Sequence, residues 1–305
     1  MPTYESPNLF IDFARLPPPA VIETIRYEDL LDLYQDRVLK ANPALEKALQ
    51  LEQSPINIVL ETEAYGEMMV RARVNAAARA VMLPFAVGSD LDVLGALYNE
   101  ARLPLVDNPR PYTTNPEDWE GDTRFRSRVQ MAPEAFTTAG SAGSYIYHAK
   151  SADPTILDAS VMKVDRRGGI KVSIMNSGAS PVPTTDQINK VTQRLLRPNI
   201  KPLTDVVSVT PVKVIYTDLV ARVVLYPGPD AAIIRQTITD NLQSLRSRIA
   251  LIGRDLTRAA ITDALYVEGV QNVNLTSPAA DIVAETDTCV WLRSADVTIN
   301  GTRTE

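Results

Sequence analysis

From Tyr27 to Lys40 apolar side chains return every three or four residues, so that Leu30, Leu31, Tyr34 and Val38 share one face of a predicted helix. A longer pattern runs from about Ile56 to Leu83. Ile58, Thr62, Tyr65, Met69, Ala72, Ala76, Ala80 and Leu83 follow spacings of three and four, close to a heptad. Its later turns carry alanine at most of these positions, small enough for a neighbouring helix to approach closely, and Pro84 ends it. Ser89 reads as the N-cap of a shorter helix, with Asp92 in the capping-box position, and this helix presents Leu91, Leu94, Leu97 and Ala101. Prolines 104, 109, 111 and 116 then mark a linker or extended loop over residues 104–121.

Beyond the prolines the period changes from helical to alternating. Ile156–Val164 and Gly169–Met175 read as two strands joined by a turn at Asp165–Gly168. A helix follows from Thr184 or Asp186 with Ile188, Val191 and Leu195 inward, closed by Pro198, and Val206–Val209 is a further strand. The outline repeats. Val212–Leu225 is strand-rich, and Pro229 suits the first turn of a helix whose buried stripe is Ile234, Ile238, Leu242, Leu245 and Ile249. Asp255 reads as the cap of one more helix bearing Leu256, Ala260 and Ala264, stopped by Gly269, and strands near Val270–Leu275 and Val290–Ile299 close the pattern. The fold class read from this order is multidomain α+β: a helical bundle segment followed by two mixed α+β modules. The expected divisions are an arm over 1–24, a helical region over 25–103, the linker over 104–121, and modules over 122–211 and 212–305.

Composition changes the picture chiefly by exclusion. With 305 residues the chain is about twice the usual single-domain length of roughly 150. Its 31 Lys+Arg stand against 37 Asp+Glu, a net charge of −6, which disfavours a nucleic-acid partner. Residues 1–70 hold 12 acidic and 5 basic side chains and so carry the whole excess. Polar residues interrupt every apolar run well short of the roughly 18 that a membrane helix needs, and the start MPTYESPNLF has no basic region of a secretory signal. The lone Cys289 excludes an internal disulfide and fits a reducing compartment.

A single histidine, His148, removes multi-His zinc sites and leaves one imidazole for any triad. No nucleophile motif such as G-x-S-x-G accompanies it, so it reads as packed or partner-facing. The Gly140–Ser144 run lacks the ending of a phosphate loop and reads as a turn that starts a helix. Asp90 and Asp92 lack the rest of a calcium loop, and Glu63 and Glu67 lack the Glu-x-x-His partner of a di-iron bundle. Arg124, Arg126 and Arg128 around Phe125 read as a solvated face or a site for an acidic protein. No catalytic residue, cofactor or metal is expected. The long stripe at 56–83 fits a helical domain folded on itself, but its length and its acidic flank of Glu61, Glu63 and Glu67 favour an intermolecular bundle.

Eight stretches in register resemble the baseplate J-like proteins of contractile-tailed bacteriophages and R-type pyocins. They are RVNAAARAVML at 73–83, GSDLDVLGALY at 88–98, DTRFRSRV at 122–129, AFTTAGSAGSY at 135–145, HAKSADP at 148–154, KPLTD at 201–205, YPGPD at 226–230 and ALYVEGVQNV at 264–273. The stretches run from 73 to 273, and order and spacing agree with the family from about residue 25 to 300. The resemblance implies a structural wedge protein of the six-fold baseplate ring of a contractile tail or tailocin, made in the bacterial cytoplasm. Its N-terminal helices would join a core bundle with a second copy of the chain and with a different, tail protein I-like wedge subunit. Within that bundle Tyr65, Met69, Ala72, Ala76, Ala80 and Leu83 are the expected contacts. The acidic N-terminal region would attract a sheath-initiating baseplate protein, and the C-terminal module, with the segment after Gly253, would link neighbouring wedges. The alternative is a tail-borne, wall-degrading glycoside hydrolase. It would show as a deep cleft with two carboxylates roughly 5 to 10 Å apart.

Overall fold

The computed structural model describes residue 13 and residues 19–51, 53–137, 140–165, 167–228 and 230–302. Two compact units divide them: residues 11–101 with 122–129, and the remainder.

The helical unit opens with α1 (Tyr27–Ala41), followed by the short α2 (Glu46–Leu49) and the long α3 (Pro55–Ala80). Ser54 caps α3 by accepting from the Asn57 N–H (3.3 Å), and Pro55 fills the first turn, where its missing donor is not needed. Helix α4 (Gly88–Ala96) and most of α5 (Asp122–Met131) complete the unit around a small core of Ala86, Leu91, Phe125 and Val129, with Leu83 and Leu94 at its edge. A Cβ on Gly95 would lie 2.5 Å from Phe125 Cζ, so glycine here is what lets the ring sit against α4. Leu97 and Ala101, expected inward, are exposed because α4 ends at Ala96.

Ser89 is not the cap of α4. The helix begins at Gly88, whose N–H donates to the Asp122 carboxylate 34 residues further on (3.0 Å), so a neighbouring helix supplies the acceptor. Nor do the arginines of α5 form a solvated or partner-facing patch. Arg126 donates to the Leu83 and Ala86 carbonyls (2.9 and 2.6 Å) in the turn between α3 and α4. Arg128 is buried and ion-paired to Glu100.

In the second unit the proline-rich stretch is an ordered loop. Pro104 and Trp119 form an antiparallel bridge, Arg110 pairs with Asp118 (2.9 Å), and buried Arg102 donates to the Glu120 carbonyl (2.7 Å). Helix α6 (Ala142–Lys150), capped by Ser141, leads into β1 (Ile156–Lys163) and β2 (Gly169–Asn176), an antiparallel hairpin. Gly168 closes its turn at φ +87°, where a Cβ would strike the Thr204 carbonyl at 2.5 Å. Helix α7 (Thr185–Leu195) starts with a full capping box between Thr184 and Gln187, and β3 (Val206–Pro211) returns parallel to β2. Tyr145 and Ala149 from α6, and Val191 and Leu195 from α7, pack onto Ile156, Val172 and Ile174 of this sheet.

Strand β4 (Lys213–Leu225) follows β3 almost directly and is the centre of a second sheet, ordered β5-β4-β6. Helix α8 (Ala231–Ile249), α9 (Arg258–Leu265), β5 (Val270–Ser277) and β6 (Thr288–Thr302) complete it, with β5 antiparallel and β6 parallel to β4. All five residues of the expected α8 stripe are buried in one core with Leu219, Val223, Leu256 and Leu265. Burial of each such side chain contributes roughly 1.5–3 kcal/mol. Asp230 caps α8; Pro229 lies outside the described residues. Asp255 does not cap α9: Thr257 does (3.2 Å), while Asp255 accepts from the Ala284 N–H (2.8 Å). The sheets meet where Met175 and Leu157 pack on Val212, Ile252 and Cys289. There Asp158 accepts from the Ile252 N–H (3.0 Å), and Asp287 binds both Lys171 (2.7 Å) and Lys213 (3.1 Å).

Candidate partner interface

Helix α3 has 26 residues and α1 has 15, so about 39 Å of helix faces a partner of only about 22 Å. What α1 and the preceding chain cover is one narrow face, and much of that contact is polar. Leu60 and Ala64 are buried there, and Leu30 is the buried residue of α1. Around them Gln35 donates to Asn57 (3.5 Å), and the Asn57 amide donates to the Leu49 and Leu51 carbonyls (2.8 and 2.7 Å). Tyr34 donates to Glu67, Glu67 pairs with Arg71, and Arg71 reaches Glu23 (3.2 Å). The Tyr34 and Arg71 donors hold the Glu67 carboxyl below its ordinary range. Asn75 closes the ladder against the Glu23 backbone (3.1 and 2.9 Å).

The heptad-like stripe lies about a third of the way round the helix from this face. Tyr65 is 55% exposed and Met69 52% exposed; Ala72 and Ala76 are exposed, and Ala80 is half-buried at the last turn. Leu83 lies past the end of α3 and packs against the small core of α4 and α5. Four further valines that the periodicity did not single out, Val59, Val70, Val74 and Val81, are each more than half exposed. Val59, Val70 and Val74 sit on another side of α3, and Val81 is its C-cap. Apolar side chains on a second side of the helix were a sequence signal that the single stripe did not capture.

The chemistry-bearing residues do not converge. His148 is buried on α6 in edge-to-face contact with Tyr147, and burial, with Arg194 and Arg197 nearby, lowers its pKa to about 4. It is a neutral packed imidazole. Because its folded pKa lies below the unfolded value near 6.5, stability is full above pH 6.5 and falls as pH drops from 6.5 towards 4. Urea titrations should show a loss on the order of 2 kcal/mol over that interval, and His148→Gln should remove most of it. Burial likewise raises the Cys289 thiol to about 11, far from a reactive thiolate. Among the described residues no three His, Cys, Asp or Glu side chains gather to hold a metal ion, and no helix is long and apolar enough to cross a membrane.

A cleft of about 480 Å³ is lined by Trp291, Arg246, Arg293, Ser177, Ser247 and apolar residues, and one of about 300 Å³ by Arg235, Arg246 and other residues of α8 and β6. Neither contains a carboxylate, so neither offers the acid pair of a glycoside hydrolase.

Comparison with known proteins decides the family. The baseplate J-like N-terminal domain matches residues 52–108, the central domain 137–211 and the C-terminal domain 217–300. Baseplate protein J of Escherichia phage P2 is 38% identical over 281 residues, covering 90% of this chain and 92% of the relative. The chain belongs to the baseplate J-like family. Membership of the baseplate J-like family makes it a structural protein of a phage-type baseplate and points away from catalysis. Among solved structures, a chain of the six-fold symmetrised baseplate of the anti-feeding prophage aligns at a TM-score of 0.38 and 15% identity. That alignment covers 56% of this chain and 42% of the other, so this protein spans less than half of that one.

Proposed function

We propose that this baseplate J-like protein is a wedge subunit of a contractile tail or tailocin and acts through interfaces. Helices α1 and α3 join a core bundle with a second copy and with a tail protein I-like subunit, and the second α+β module links wedges into a six-fold ring. The observation that carries this reading is the apolar surface left open on α3: Tyr65, Met69, Val70 and Val74 are each more than half exposed on a helix whose intrachain partner is too short to cover it. Apolar side chains exposed along two sides of one long helix are the kind of surface that a protein–protein contact covers. Co-expression with the tail protein I-like subunit tests it. Co-elution of both proteins as one complex is the expected result; separate elution would contradict the bundle.

The acidic excess of the helical unit gives a second handle. Glu28, Asp29, Asp32, Asp36, Glu61 and Glu63 are exposed and have no ion-pair partner among the described residues. They suit a basic surface on the sheath-initiating protein. Raising salt from 0.1 to 1 M shortens the screening length from about 10 to 3 Å, so that association should weaken tenfold or more. A binding titration flat across this range would remove the electrostatic contact.

A further inference from the structure

We propose that the outer edge of β6 and the adjoining groove on α8 bind an extended acidic segment of a different polypeptide, which adds to the second sheet as a fourth strand. This deepens the assembly role above and rests on it. Strand β6 has 15 residues and lies at the end of the β5-β4-β6 order. Its start is covered, since Cys289 bridges Ile252 and the Thr288 carbonyl accepts from the Gly253 N–H. From Arg293 onward its outer backbone groups have no partner among the described residues. A long open edge of this kind is a template on which an extended segment of another chain can pair.

The groove beside that edge defines what fits. Ile238 and Leu242 of α8 and Val297 and Ile299 of β6 supply apolar walls, while Arg235 and Arg246 stand at its rim. Both arginines are exposed, neither has an ion-pair partner among the described residues, and no carboxylate lines the groove. Eleven residues along α8 return to nearly the same face, which places the two guanidinium groups on one side and about 16 Å apart along the axis. On an added strand alternate side chains face the helix, and residues four apart are separated by about 13 Å. Two carboxylates at that spacing with an apolar side chain between them meet both arginines and the apolar walls. A second copy of this chain is a poor occupant. Its acidic stretch at 281–287 is already committed: Asp281 accepts from the Arg258 N–H, Ile282 packs in the core and Asp287 binds two lysines.

The test uses the full chain and a labelled peptide, Glu-Thr-Val-Thr-Glu-Thr-Val-Thr-Glu, with a Lys-for-Glu peptide as control. Fluorescence anisotropy should give saturable binding of the acidic peptide alone. Hydrogen exchange should show new protection at residues 293–302. The double variant R235E/R246E, at two exposed positions and with its melting temperature checked, should weaken binding at least tenfold. Absent binding, equal binding of both peptides, or binding that leaves β6 exchange unchanged would overturn the proposal. Concentration-dependent protection of 293–302 without peptide would also overturn it, because the edge would then belong to a second copy.

Discussion

Replacing Ala76 by glutamate should abolish joint assembly of this chain with its wedge partners while leaving its own fold intact. Ala76 is exposed on α3, so in the isolated chain the change costs only a few tenths of a kcal/mol of helix propensity. Buried in a seam of alanines between helices, the same carboxylate has no partner and costs roughly 3–5 kcal/mol. That is a loss of affinity of about a hundredfold to several thousandfold. Co-purification reports the loss, and a melting temperature within about 2 °C of the parent separates it from unfolding. Normal co-purification of the variant would show that this face lies outside the bundle.

Much of the fold was legible because its signals are local. The β1–β2 hairpin, the capped start of α7 and the five-residue stripe of α8 each follow from side chains within a few positions of one another. What failed depends on residues brought together from afar. Ser89 looked like a cap, but the acceptor for the start of α4 comes from Asp122. Arg126 looked solvated because the carbonyls it serves, at Leu83 and Ala86, lie some 40 residues earlier, and Arg128 because its partner Glu100 lies 28 residues earlier. Helix α3 shows the limit most clearly. Periodicity marked an apolar stripe, yet the face covered inside the chain is built on Asn57, Glu67, Arg71 and Asn75, polar residues that such a pattern ignores. The exposed valines escaped for a related reason: on a helix apolar on several sides, one spacing pattern captures one side only.

Deleting the second module, residues 212–305, should leave wedges that still bind their partner subunit but form no closed six-fold rings. The cut belongs at 212 and not at Gly253. Strand β4 is paired on both sides, by β5 and by β6, and a chain ending at 252 would keep the central strand and α8 while losing the strands and helix that complete their core. The first sheet has its own core with α6 and α7 and loses mainly the junction at Met175 and Leu157. If every wedge uses one pair of patches, rotation closes the ring through a heterologous contact; copies in two conformations would instead alternate two-fold-like contacts. Both arrangements fail without the module. Electron microscopy of particles carrying the shortened chain would show open wedges, whereas complete rings would place the inter-wedge contact elsewhere.

The claim that α3 is a buried intermolecular helix is tested most directly by thiol accessibility at Ala72. The chain's only cysteine, Cys289, is buried with a thiol pushed up to about 11, so a cysteine in place of Ala72 is the single reactive thiol. Maleimide labelling of Ala72→Cys should be rapid in the isolated chain and suppressed at least tenfold in intact baseplates. Equal labelling rates in the two states would mean that this face of α3 stays open to solvent in the assembly, and would contradict the interface.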